Sequence, residues 1–163
     1  MRTRRAVSGA AVAVIAATLA LLTAAGPVGA GSAQAVTIVS NVTFNPNGPN
    51  SGDFTATGPA VDGGILCGSG TFVDTGIKFA GFQSNRGVVQ LQVVKEFTCG
   101  DDSGTFVVKL QIQANFVTGY ESFSWVVLGG TGAEAALHGA GTGFTVPNRP
   151  VGNVNTYQGM LAG

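Results

Sequence analysis

Charge is scarce in this chain. Only 10% of its 163 residues are Asp, Glu, Lys or Arg, and there is one histidine. Three of the eight basic residues, Arg2, Arg4 and Arg5, crowd the N-terminus. The other five, Lys78, Arg86, Lys95, Lys109 and Arg149, are scattered. That argues against nucleic-acid binding, because displacing counterions from a phosphate backbone takes clustered cations. With His138 as the one histidine and Cys67 and Cys99 as the two cysteines, ligands for a metal centre are too few. No metal and no cofactor are expected. There is no Cys-x-x-Cys pair for thiol redox chemistry and no nucleophile elbow to mark a hydrolase. No lysine stands after a glycine-rich turn as it would in a P-loop. Beyond the first 35 residues, no apolar run is long enough to cross a membrane as a helix.

The N-terminal segment reads as an export signal. Arg2, Arg4 and Arg5 make a basic start, Ala10 to Ala25 is apolar, and Gly26-Pro27 breaks the run. Ala33-Gln34-Ala35 then fits the small-x-small rule, so cleavage is expected after Ala35, leaving a secreted chain of residues 36–163. Thr3-Arg4-Arg5 carries a trace of a twin-arginine signal, but the general route is favoured. The apolar run is short for a span of about 20 residues, which argues against a retained anchor. Without the signal, five basic residues face eight acidic ones, a net charge of −3. The remaining length suits one domain. In an exported chain, two cysteines suggest a Cys67–Cys99 disulfide, worth roughly 3–4 kcal/mol in the chain-entropy model.

What the chain has in abundance is alternation. From Thr105 to Phe116 every even position is apolar, and every odd one except Val107 is polar. A period of two is the mark of a strand with one dry and one wet face. Val36–Phe44, Val88–Phe97 and Ser122–Leu128 show it too. Shorter strands are predicted at Phe54–Thr57, Ile65–Val73, Ile77–Phe82, Phe144–Val146 and Val154–Leu161. Turns are predicted at Asn45–Gly52, Asn85–Gly87 and Gly100–Gly104, from their Gly, Pro, Asn and Asp residues. Asp101-Asp102 belongs to such a turn and lacks the ladder of oxygens a calcium loop needs. Only Ala133–His138 looks helical. About eight short-linked antiparallel strands, one apolar face each, imply an all-β sandwich or closed barrel. Closure also removes edges that so few charges could not protect. A transmembrane barrel shares the alternation, but these strands are short and irregular for one.

Trp125-Val126-Val127-Leu128-Gly129-Gly130-Thr131-Gly132 runs into Ala133–Gly143 and ends on Gly141-Thr142-Gly143. Glycines here permit positive φ or a close approach of two backbones at a barrel end. This stretch resembles the allene oxide cyclase and dirigent-protein β-barrel superfamily. Cys67-Gly68-Ser69-Gly70-Thr71-Phe72-Val73-Asp74-Thr75 and Asn155-Thr156-Tyr157-Gln158-Gly159 resemble small secreted actinobacterial proteins of that barrel type. The likeness takes in roughly residues 60–163. It implies an eight-stranded, calycin-like closed barrel with a lumen. Glu134, Ala136 and His138 depart from the family pattern, which places an aromatic, a glycine and an arginine there. The cyclase's catalytic glutamate has no counterpart that can be placed, so the likeness does not imply cyclase activity.

Parity selects candidate site residues. Lys95 shares the dry face of Val89, Leu91, Val93 and Phe97, and Glu121 that of Phe123, Trp125 and Val127. A charge on a dry face must be paired or shift its pKa. Both are expected near a barrel mouth, where a flared strand end would simply let them reach water. Trp125 and Tyr157 are candidates to line a cavity, against the plainer role of core aromatics. His138 is the acid–base residue by type, but nothing near it supplies a nucleophile. The function expected is non-catalytic binding of a small apolar ligand or a partner. A cyclase or isomerase working in the lumen is the first alternative, and a surface protein forming homo-oligomers is the second.

Overall fold

The computed structural model describes residues 31–83, 87–115, 117–148 and 152–163. The basic and apolar parts of the segment expected to direct export, and the turn expected at Asn85-Arg86, lie outside these described residues. Eight antiparallel strands close into one barrel in sequence order. They are β1 (Gln34–Thr43), β2 (Ser51–Thr57), β3 (Ser69–Gln83), β4 (Val88–Cys99), β5 (Gly104–Asn115), β6 (Tyr120–Gly132), β7 (His138–Asn148) and β8 (Gly152–Ala162). One helical turn, α1 (Pro59–Asp62), lies between β2 and β3, and a 3₁₀ turn at Ala133–Ala136 joins β6 to β7. The barrel closes where β1 pairs with β8. Gln34 and Ala35 sit opposite Leu161 and Met160, so the expected cut after Ala35 would remove two rungs of that ladder.

The alternation is realised strand by strand. In β5, Phe106, Val108, Leu110 and Ala114 are buried while their neighbours are not. Two expectations need correction. Ile65–Val73 and Ile77–Phe82 are predicted as two strands, but one 15-residue strand, β3, runs from Ser69 to Gln83. Ile65 and Leu66 are held outside it, because both their N–H groups bond to the Ala60 carbonyl at α1. Register shifts at Asp74/Gly76 and Phe79/Gly81 make two bulges, which disguise a single strand in the sequence. The second correction concerns extent: the strand expected at Ser122–Leu128 runs on through the glycines to Gly132, and the one expected at Phe144–Val146 already opens at His138. Gly129–Gly132 ends β6 against Gly104–Val107, and His138–Gly143 opens β7.

The expected close approach is real at several of these glycines, Gly130 and Gly143 among them. A Cβ on Gly130 would collide with the carbonyl oxygens of Glu134 and Thr105. One on Gly143 would enter the Phe123 ring, so this inward glycine gives that ring its room.

The interior is filled by rings. Phe97 stacks on Phe106 with centroids 4.7 Å apart, and meets Phe54 at 5.2 Å and Tyr157 at 6.2 Å edge-on. Tyr157 in turn meets Phe123 at 4.9 Å and Trp125 at 6.3 Å. The Cys67–Cys99 disulfide pins the segment before β3 to the end of β4, with Cα atoms 5.8 Å apart. At the other end the wall is uneven. β2 pairs with β3 only at Ser69–Val73. Ile77, Phe79 and Phe82 lie opposite Val93, Leu91 and Val89, on the inward side. With no β2 rung beside them they are exposed, Phe79 by 80%.

Candidate functional site

Lys95 is not at a mouth. It lies within β4, 3% exposed, directly opposite Asp74 of β3. Opposed residues on adjacent strands bring their side chains together, and Lys95 Nζ is 2.5 Å from Asp74 Oδ1. It also sits 4.5 Å from the centre of the Phe72 ring. The other Asp74 oxygen, Oδ2, accepts from Asn50 Nδ2 at 3.1 Å. The backbone holds Asn50 in place, since Asp74 N–H donates to the Asn50 carbonyl at 2.8 Å. Asn50 Oδ1 accepts from the Asn45 N–H at 3.2 Å. Burial draws the Lys95 pKa down, and the charge and hydrogen bond of Asp74 pull against it without cancelling it.

Tyr157, the second sequence candidate brought into the interior, is 1% exposed and belongs to an adjoining group. Ser40 of β1 pairs with Asn155 of β8, two residues from Tyr157. Tyr157 OH, Ser40 Oγ and Asn155 Oδ1 are all buried, and none has a hydrogen-bond partner among the described residues. Burial pushes the Tyr157 phenol well above 10.0. The side chains of Asn155 and Ser40 draw it back a little, and the Asp74 charge pushes it further up.

A phenol whose folded pKa is raised contributes stability that is full below pH 10 and is lost as pH climbs past it. Alkaline difference absorbance of the folded protein is therefore expected to be the same for wild type and Tyr157→Phe. A phenolate signal missing from the variant at a pH where both remain folded would refute this.

The remaining candidates separate. Trp125 is core: its Nε1 donates to the Thr142 carbonyl at 3.1 Å and its ring packs on Tyr157. Glu121 is half-buried at the start of β6, between Ala114 and Thr145, and takes no part in the Lys95–Asp74 pair. His138 is exposed at the start of β7, with Nδ1 3.0 Å from the Ala136 carbonyl.

Two further places are not among the site candidates the sequence offers. Glu134 is buried beside the disulfide, its Oε1 accepting from Ser103 Oγ at 3.1 Å and lying 3.3 Å from Cys99 Sγ. A disulfide sulfur has no proton to give, so the second approach is a contact and not a hydrogen bond. Cys67, Cys99 and Glu134 bring three potential ligand atoms within 4.8 Å of one another, but sulfurs joined in a disulfide are not thiolate ligands.

The second is a groove of about 580 Å³ over β4, β5, β6 and β7. Gln90, Gln92, Gln111, Gln113, Ser122 and Ser124 line it. Leu91, Ile112 and Phe123, which lie between them along the strands, border it too, but the next inward residues, Val89, Val93, Leu110, Ala114 and Trp125, do not, so the groove opens on the outward face. Tyr120 and Phe144, both exposed, share that face beside Ser122. Polar outward positions are ordinary strand surface in a sequence, and only the curvature of the sheet makes these a groove.

No known protein-family model matches the chain, and no curated protein matches it.

Proposed function

We propose that the protein acts outside the cell as a non-catalytic binding barrel, built on the plan of the allene oxide cyclase and dirigent proteins, and that it takes its ligand in the outward groove. The observation that carries this reading is the groove itself: amide and hydroxyl side chains line it on the outer face of β4–β7, while aromatic rings at centroid distances of 4.7–6.3 Å pack the interior around Phe97 and Tyr157. That packing weighs against an apolar ligand or an isomerase substrate in the lumen.

The chemistry of the groove points to a neutral, hydroxyl-rich chain such as a polysaccharide. Side-chain amides and hydroxyls both donate and accept, as a sugar's hydroxyls require. Exposed Tyr120 and Phe144 offer flat apolar faces for the ring faces of a sugar. Gel electrophoresis through soluble neutral polysaccharides tests this directly. Retardation by at least one polymer is expected, and Gln92→Ala/Gln111→Ala should weaken it about tenfold, the equivalent of one to two hydrogen bonds. Free migration in every polymer, or full retention by the double variant, would sink the reading.

A further inference from the structure

The Lys95–Asp74–Asn50 group has the parts of a reaction. We propose that Lys95 and Asn50 join spontaneously in the folded protein through an isopeptide bond, with Asp74 carrying the protons. The proposal stands on the interior cluster and is independent of the groove.

An amide made from a side-chain amine and a side-chain carboxamide needs a free amine, a polarised carbonyl and a proton carrier touching both. Each is present, with the amine and the carrier buried and Asn50 half-buried at the edge of the cluster. One carboxylate bridges the two reactants: Asp74 Oδ1 holds Lys95 Nζ and Asp74 Oδ2 holds Asn50 Nδ2. Fixing both partners on a single group replaces a bimolecular encounter by a unimolecular one. The carbonyl oxygen of the Asn50 side chain accepts the Asn45 N–H, a donor aimed where negative charge develops during attack. Lys95 and Asp74 are buried, and Phe72 covers the ammonium. Burial also favours the neutral amine, the nucleophilic form of Lys95.

The step balances without an oxidant, reductant or co-reactant. Asp74 takes a proton from Nζ, and the amine attacks Asn50 Cγ. The Nζ–Cγ bond forms, and the carbonyl electron pair moves to Oδ1 against the Asn45 N–H. Asp74 returns its proton to Nδ2, the Cγ–Nδ2 bond breaks, and ammonia leaves, taking the second proton from Nζ to depart as ammonium. Asp74 finishes as the carboxylate it was at the start. The product ties the residue before β2 to β4, the strand that also carries Cys99 of the disulfide.

Mass spectrometry of the folded, secreted wild-type protein decides the matter. After reduction and alkylation, a mass about 17 Da below that of the sequence is expected, the loss of one ammonia. Trypsin should fail to cut after Lys95, and a branched peptide should join the segments holding Asn50 and Lys95. Reduction must come first, because the disulfide joins the same two tryptic segments. Lys95→Met, Asn50→Ala and Asp74→Ala should each restore the full mass. An unmodified wild-type mass would overturn the proposal. So would a loss of about 18 Da located between Lys95 and Asp74, which would be condensation with the carboxyl instead. Ammonia loss mapped to an N-terminal Gln34 would also overturn it, since a terminal glutamine cyclises with the same change in mass.

Discussion

Phe97→Ala is expected to lower the unfolding free energy by about 3–5 kcal/mol, the range for deleting a large ring from a closed core. Phe97 is fully buried, and its ring meets those of Phe54, Phe72, Phe106 and Tyr157. Those four neighbours come from β2, β3, β5 and β8, so the cavity would lie where opposite walls of the barrel meet and none could collapse into it alone. A single domain is typically stable by only about 5–15 kcal/mol, so the loss is a large share of the total. Phe79→Ala is the control: that side chain is 80% exposed and its removal should shift stability by no more than about 0.5 kcal/mol. Guanidinium unfolding of the two variants side by side measures both. Equal effects would mean that Phe97 is not the centre of the packing.

Asp74→Ala should cost a similar amount, about 3–5 kcal/mol, for a different reason: it leaves the buried Lys95 ammonium without its counter-charge. Adding Lys95→Met removes the stranded charge and is expected to recover at least half of that loss, because an apolar pair in the same space avoids the desolvation penalty. Neither variant can form the Lys95–Asn50 bond, so their difference isolates the cost of the buried charge. A double variant less stable than Asp74→Ala would show that Lys95 reaches solvent once its partner is gone.

Much of the barrel is legible in the sequence because closure turns each strand's alternation into inside and outside. The polar members of the interior are legible in principle by the same rule. Ser40 falls in step with Ile38 and Val42, Asp74 with Phe72, and Asn155 with Tyr157. Asp74 is lost because the strand holding it is read as ending at Val73, and the bulge just beyond it breaks the period. Lys95 is found by parity but misplaced, since alternation gives the face of a residue and not its height along the barrel axis. Asn50 has no period at all. It reads as one more polar loop residue between prolines and glycines, and only the fold carries it to Asp74. The groove is invisible for another reason, being a property of sheet curvature built from residues that are individually ordinary.

The order of pairing has a kinetic consequence. Every ladder except one joins strands adjacent in sequence, and such ladders close over short loops, which is fast. The exception is the seam between β1 and β8, whose rungs join residues such as Gln34 and Leu161 at the two ends of the domain. That seam cannot zip until the last strand has left the ribosome. The same ladder takes in the expected cleavage site, so a cut there would act on the very seam that closes the barrel.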